Sequence, residues 1–217
     1  MLLIVPAAAT AETVLIEAGR DATLIEAPEG ELANGSGPVF FVGRNNQLEN
    51  SVRRGLIYFD VAAELPGNAR VESVRLTLYM SPSNPAPRRI GLHRLLAGWG
   101  EGASSASGGG GDVSAPGDAT WIHTFYDDEF WVRPGGHFVA RASASRDVAA
   151  SDFYTWEGTR KMLADVRLWL AAPQRNFGWI LIGDETTPQN AKSFASREES
   201  DPWLRPVLEV TYHLPGR

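Results

Sequence analysis

The residues best equipped for chemistry lie together in GDATWIHTFYDDEFW, Gly117 to Trp131. Trp121, His123, Phe125, Tyr126, Phe130 and Trp131 share that segment with the consecutive acids Asp127, Asp128 and Glu129. Such a mixture suits a catalytic pocket, a sugar-stacking wall or a metal site. A serine triad needs Ser, His and a carboxylate brought together, yet no G-x-S-x-G occurs and His93, His123, His137 and His213 are scattered singly. The H-E-x-x-H pattern of a metallopeptidase is also missing. With no cysteine, thiolate chemistry, disulfides and cysteine-ligated zinc are excluded.

Glycoside cleavage needs two carboxylates at a defined separation, one with a raised pKa. Glu101, Asp127, Asp128, Glu129, Glu185 and Glu198 are available, and no spacing selects a pair. A lyase-like set of Tyr126, His123 and Arg133 can be assembled equally arbitrarily. Hard cations such as Ca2+ take several oxygen ligands. Asp127-Asp128-Glu129 and Glu198-Glu199-Ser200-Asp201 are acid-dense; neither has EF-hand spacing, and Asp127, Asp128 and Glu129 stand as candidates for Ca2+ beside the reading of both runs as solvated loop acids.

Carbohydrate binding suits the composition best. Sugar rings stack their apolar faces on aromatic rings, and the chain has 7 tryptophans in 217 residues. Trp169 and Trp179 fall in regular elements and read as core, whereas Trp99, Trp121, Trp131, Trp156 and Trp203 fall in loops or at boundaries. Alternation in Trp121-Ile122-His123-Thr124-Phe125 puts Trp121, His123 and Phe125 on one side. The expected ligand contacts are Trp99, Trp121, His123, Tyr126, Trp131 and Arg54, with Trp121 anchoring the loop and His123, Tyr126 and the acids exposed.

The elements that must hold these residues read as strands. Val74, Leu76, Leu78 and Met80 alternate with Arg75, Thr77 and Tyr79, the period of a half-buried strand. Thr13–Glu17, Val39–Val42, Gly55–Val61, Ile90–Leu96, Phe177–Ile182 and Val207–Leu214 read similarly, with Gly/Pro/Asn turns between several of them. One short helix is expected over Thr159–Ala172, with Leu163, Val166 and Leu170 on one face and Pro173 as its stop. From Gly98 to about Trp156 strand periodicity fades, and Ala103–Gly111 is a Ser/Gly tract. A loop this long in a compact domain is functional or disordered; its aromatics favour folding back onto the body. The expected fold class is all-β, a two-sheet jelly-roll sandwich with a long central loop insertion.

A net charge of -6 argues against a nucleic-acid partner. Met1–Glu12, MLLIVPAAATAE, has an apolar run and an Ala9-Thr10-Ala11 cleavage pattern, read as the tail of an export signal over residues 1–11. Residues 12–217 then form one domain, secreted to the cell exterior or surface, with no membrane span.

The chain resembles the DNRLRE family, which is related to archaeal disaggregatase domains and an alginate-type carbohydrate-binding group. The carriers are Asp21-Ala22-Thr23, Asn34-Gly35, Gly55-Leu56-Ile57-Tyr58-Phe59-Asp60 with Leu65-Pro66, Val71–Tyr79, Trp99-Gly100-Glu101 and Asp165-Val166 with Trp169. Near the end come Asn176-Phe177-Gly178-Trp179, Ser196-Arg197-Glu198 and Arg205-Pro206-Val207-Leu208. The resemblance implies a jelly roll, extracellular placement, a non-catalytic accessory role and, in some relatives, binding of acidic polysaccharide. Negative net charge demands a local basic patch for such a ligand, for which Arg53, Arg54, Arg88, Arg89 and Arg94 are candidates. Arg197, Glu198 and Glu101 read as structural, tying loops to the sandwich. Two functions follow as expectations: a module binding polysaccharide or cell-surface glycan through the Trp-rich loop, or a self-assembling subunit of an extracellular fibre whose first strand, Thr13–Glu17, adds to a neighbour's sheet.

Overall fold

The computed structural model describes residues 10–215. The expected leader remnant, 1–11, lies outside the described residues apart from Thr10 and Ala11, and Ala11 opens the first strand. In chain order come β1 (Ala11–Glu17), β2 (Arg20–Ile25), β3 (Leu32–Asn34), β4 (Val39–Arg44) and β5 (Val52–Tyr58). A single helical turn, α1 (Val61–Glu64), precedes β6 (Arg70–Ser81) and β7 (Arg88–Arg94). The segment expected to be one loop carries β8 (Asp112–Val113), β9 (His123–Phe125), β10 (Glu129–Phe130), β11 (Ala144–Val148) and β12 (Asp152–Glu157). Then follow α2 (Arg160–Ala171), β13 (Trp179–Ile182), β14 (Lys192–Ala195) and β15 (Val207–His213). The strand-dominated class agrees with the sequence reading; α1 adds a second helix to the one expected.

The pairings are antiparallel; β9 pairs β10 in a small sheet of its own, and the other strands form two sets. In the first, β1 pairs β15, and β6 pairs β15, β12 and β14. The second runs β8–β3–β2–β5–β13–β7–β11. Strand β4 joins them, pairing β14 through Val39–Val42 and β5 through Gly43 and Arg44. Both sets feed one core. Leu76, Leu78, Phe194, Leu208 and Val210 from the first pack with Ile57, Ile90, Leu92 and Leu181 from the second. Each such apolar side chain contributes about 1.5–3 kcal/mol when removed from water, so the alternation along β6 fixes which face turns inward.

Helix α2 closes one end of this core. Thr159 caps it by accepting a hydrogen bond from the Met162 amide, one of the donors a helix start leaves unpaired. The fully buried residues are Met162, Val166 and Trp169, with Leu163 and Leu170 only partly buried. The inward stripe is thus rotated from the Leu163–Leu170 face expected from sequence, because the largest side chain, Trp169, packs against Trp179 with ring centroids 4.4 Å apart and ring planes tilted by 60°.

Candidate functional site

The Trp-rich loop lies against the second strand set. Trp99, Ala119 and Trp131 join Leu24, Leu56 and Ile180 in a separate buried cluster. Trp99 donates its indole N–H to the Phe177 carbonyl at 2.8 Å, and Trp131 donates to the Thr120 carbonyl at 2.9 Å. His123 is also buried; its Nδ1 lies 3.0 Å from the Thr120 hydroxyl, and desolvation lowers its pKa. Of these expected ligand contacts, Trp99 uses its indole N–H to tie the loop to the body, while Trp131 and His123 bond Thr120 within the loop itself. The alternating stripe does not form a groove, because β9 turns His123 inward.

Trp121 and Tyr126 are half-buried. Arg54 lies 4.9 Å from the Trp121 ring centroid, so one aromatic face is already taken. Its guanidinium is committed as well: Nε and Nη2 fork onto Glu185 at 2.6 and 2.9 Å, and Nη1 donates to the Gly135 carbonyl. Of the other expected patch members, Arg53 is buried among carbonyls, its pKa lowered to about 10 by desolvation. Arg88, Arg89 and Arg94 pair with Asp184, Asp147 and Asp165. Thus none of the five is a free cation. Asp127, Asp128 and Glu129 project into solvent at the loop tip, and among the described residues no three His, Asp or Glu converge tightly enough to hold a metal.

Glycines allow close backbone packing at the base of the loop. A Cβ on Gly35 would strike the Glu101 carbonyl, and one on Gly100 would strike the Gly117 carbonyl. Backbone meets backbone at both points, which only glycine permits. Beside this seam, Arg197 donates to Glu101 at 3.0 Å and to Glu198 at 2.7 Å. Buried Asp21 accepts the Arg197 amide at 2.7 Å, and its own amide donates to Glu101 at 2.9 Å. Burial raises the Asp21 pKa well above the usual carboxylate range, and desolvation also raises Glu101. The cluster ties β2 to two loops.

A different surface offers unspent charge. Three depressions wrap the first half of α2 and share lining residues. The central one, about 340 Å³, runs along Arg141–Ser145 and Thr159–Lys161. Arg141, Ser143 and Lys161 continue into a second, which ends at Arg94 and Asp165. Thr159 and Arg160 continue into a third, about 310 Å³, which reaches Arg75 and Glu157. Arg141, Arg160 and Lys161 form no ion pair among the described residues. Desolvation and the neighbouring Arg141 charge lower the Lys161 pKa, with Asp165 opposing them. Asp165 itself is a hub. One oxygen faces Arg94 Nε at 2.9 Å, and the other accepts from Ser143 and, at 3.0 Å, from Trp179 Nε1. It fixes one wall of the groove to the core.

The sequence reading passed over Arg141, Arg160 and Lys161. Arg141-Ala142-Ser143-Ala144-Ser145 does alternate, and Lys161 and Asp165 share a helix face at i, i+4. Those were the available signals. No family model matches the chain, and no curated protein matches it either. Among the described residues, no helix is long and apolar enough to cross a membrane.

Proposed function

We propose that this protein is a secreted, non-catalytic β-sandwich module of jelly-roll type, allied to the DNRLRE group, that binds acidic polysaccharide at a cell surface or matrix. The observation that carries this reading is the groove around α2, with Arg141, Arg160 and Lys161 unpaired along it in a chain of net charge -6. An elongated depression with repeated cations suits a linear polymer bearing carboxylate or sulfate groups at intervals. Ser145 adds a hydroxyl for sugar oxygens. The Trp-rich loop then acts as a structural platform, and the binding surface moves from Trp99, Trp121 and Trp131 to the helix.

Affinity electrophoresis through gels containing a polyuronate, a sulfated glycan or a neutral glucan tests the proposal. Retardation is expected in the acidic gels, weakened by salt because exposed charges are screened over about 8–10 Å at ordinary ionic strength, and lost in Arg141→Ala/Lys161→Ala. Equal migration in all gels, or retardation untouched by that double substitution, overturns it.

A further inference from the structure

Strand β1 is an open sheet edge of unusual regularity. Among the described residues it pairs only with β15, in unbroken register from Ala11↔His213 to Glu17↔Val207. Five of its seven residues are exposed, and Leu15 keeps 64 % of its surface in water. Native edges are commonly blunted by proline, lysine or a bulge; β1, AETVLIE, has none of these. A second apolar side chain stands exposed on the approach to its partner strand: Trp203, at 87 %, in the short turn leading into β15.

We infer that β1 is a self-pairing edge, and that its occupant is β1 of a second copy of this chain. The argument is one of charge and face. A two-fold antiparallel pairing centred on Val14 sets Ala11 opposite Glu17, Glu12 opposite Ile16 and Thr13 opposite Leu15. No two carboxylates face each other, although each strand carries two. Like charges directly opposite would be destabilising. Faces match as well. Val14 and Ile16 turn towards the core side, where Glu12 accepts the Tyr212 hydroxyl at 2.9 Å. Thr13 and Leu15 lie on the outer side, so Leu15 gains the Thr13 methyl of the other copy. Pairing continues the first strand set across the two-fold axis and satisfies the free backbone donors and acceptors of β1. A closed, isologous contact of this kind stops at a dimer, in contrast to a head-to-tail contact, which propagates a fibre.

Absence of cysteine makes the register directly testable. The full chain should show concentration-dependent dimerisation by sedimentation velocity, weakened by Leu15→Lys with secondary structure unchanged. Thr13→Cys and Leu15→Cys are then prepared as separate proteins. Mild oxidation of their mixture should give a covalent dimer, while each alone should not, because the proposed register opposes position 13 to position 15. A monomer at every concentration overturns the inference. So does a dimer whose cross-linking is as efficient with either single variant alone as with the mixture, since that requires another register or surface. Neither result bears on the α2 groove.

Discussion

The aromatic loop and the α2 groove differ in what their polar groups are already doing. In the loop and against it, the indole N–H of Trp99, that of Trp131, the guanidinium of Arg54 on β5 and the imidazole of His123 all have partners within the chain. In the groove, Arg141, Arg160 and Lys161 face solvent with no ion pair among the described residues. The first region is richer in the residue types of active sites, and the second is richer in unspent bonds. Recognition needs donors that a ligand can use, so composition and unspent charge point to different places.

The contrast breaks most sharply on substitution in the loop. Trp99→Ala or Trp131→Ala should cost about 3–5 kcal/mol of stability by cavity formation, read as a drop in the urea midpoint; a change confined to glycan binding would return the loop to the role of binding wall. Asp165→Ala, at the groove's inner wall, should cost somewhat less, about 3 kcal/mol, because it leaves Arg94 unpaired in a partly buried site. Trp179 fluorescence should shift with it, since the indole N–H loses its acceptor.

The Asp21 cluster sharpens the comparison through pH. Its folded-state pKa is raised by burial, so the folded form holds the proton more tightly than the unfolded chain does. The resulting stability is fully present below the ordinary carboxylate pKa and is lost as pH rises through the higher folded value. Asp21→Asn should flatten that decline in denaturation curves taken at successive pH values, while the wild-type slope persists in Lys161→Ala. The smallest stability effect belongs to Arg141→Ala and Lys161→Ala, each within about 0.5 kcal/mol as for most surface positions. These two should nonetheless abolish retention on acidic polysaccharide, and a large loss of stability in either would make the groove a structural element like the loop.

Much of the strand framework was legible because local alternation reports burial directly. Val74 to Met80, Val207 to His213 and the Thr159 start of α2 are cases where the side chain's face or cap follows from its immediate neighbours. Strands β2, β14 and the short β3, β8, β9 and β10 were missed, as were β11 and β12, where Arg146-Asp147 and the exposed Asp152-Phe153 break the apolar rhythm that a buried strand would show. The groove was invisible for a different reason. Arg94 comes from β7, Arg141 from the connection before β11 and Lys161 from α2, and only tertiary packing juxtaposes them. Likewise, period two in Trp121–Phe125 says that two faces exist without saying which one meets the core, and the Arg54–Glu185 fork, spanning 131 residues, is what covers Trp121.

The glycine seam at Gly35 and Gly100 sets the terms on which this surface can be re-engineered. Where backbone meets backbone there is no side chain to trade, so a replacement loop must keep glycine at these two positions. Diversity is better placed at the loop tip, Asp127 to Phe130, and at Val132, all of which project into solvent beyond the seam. In a library built on this scaffold, the positions that look most like an active site are the ones to leave alone.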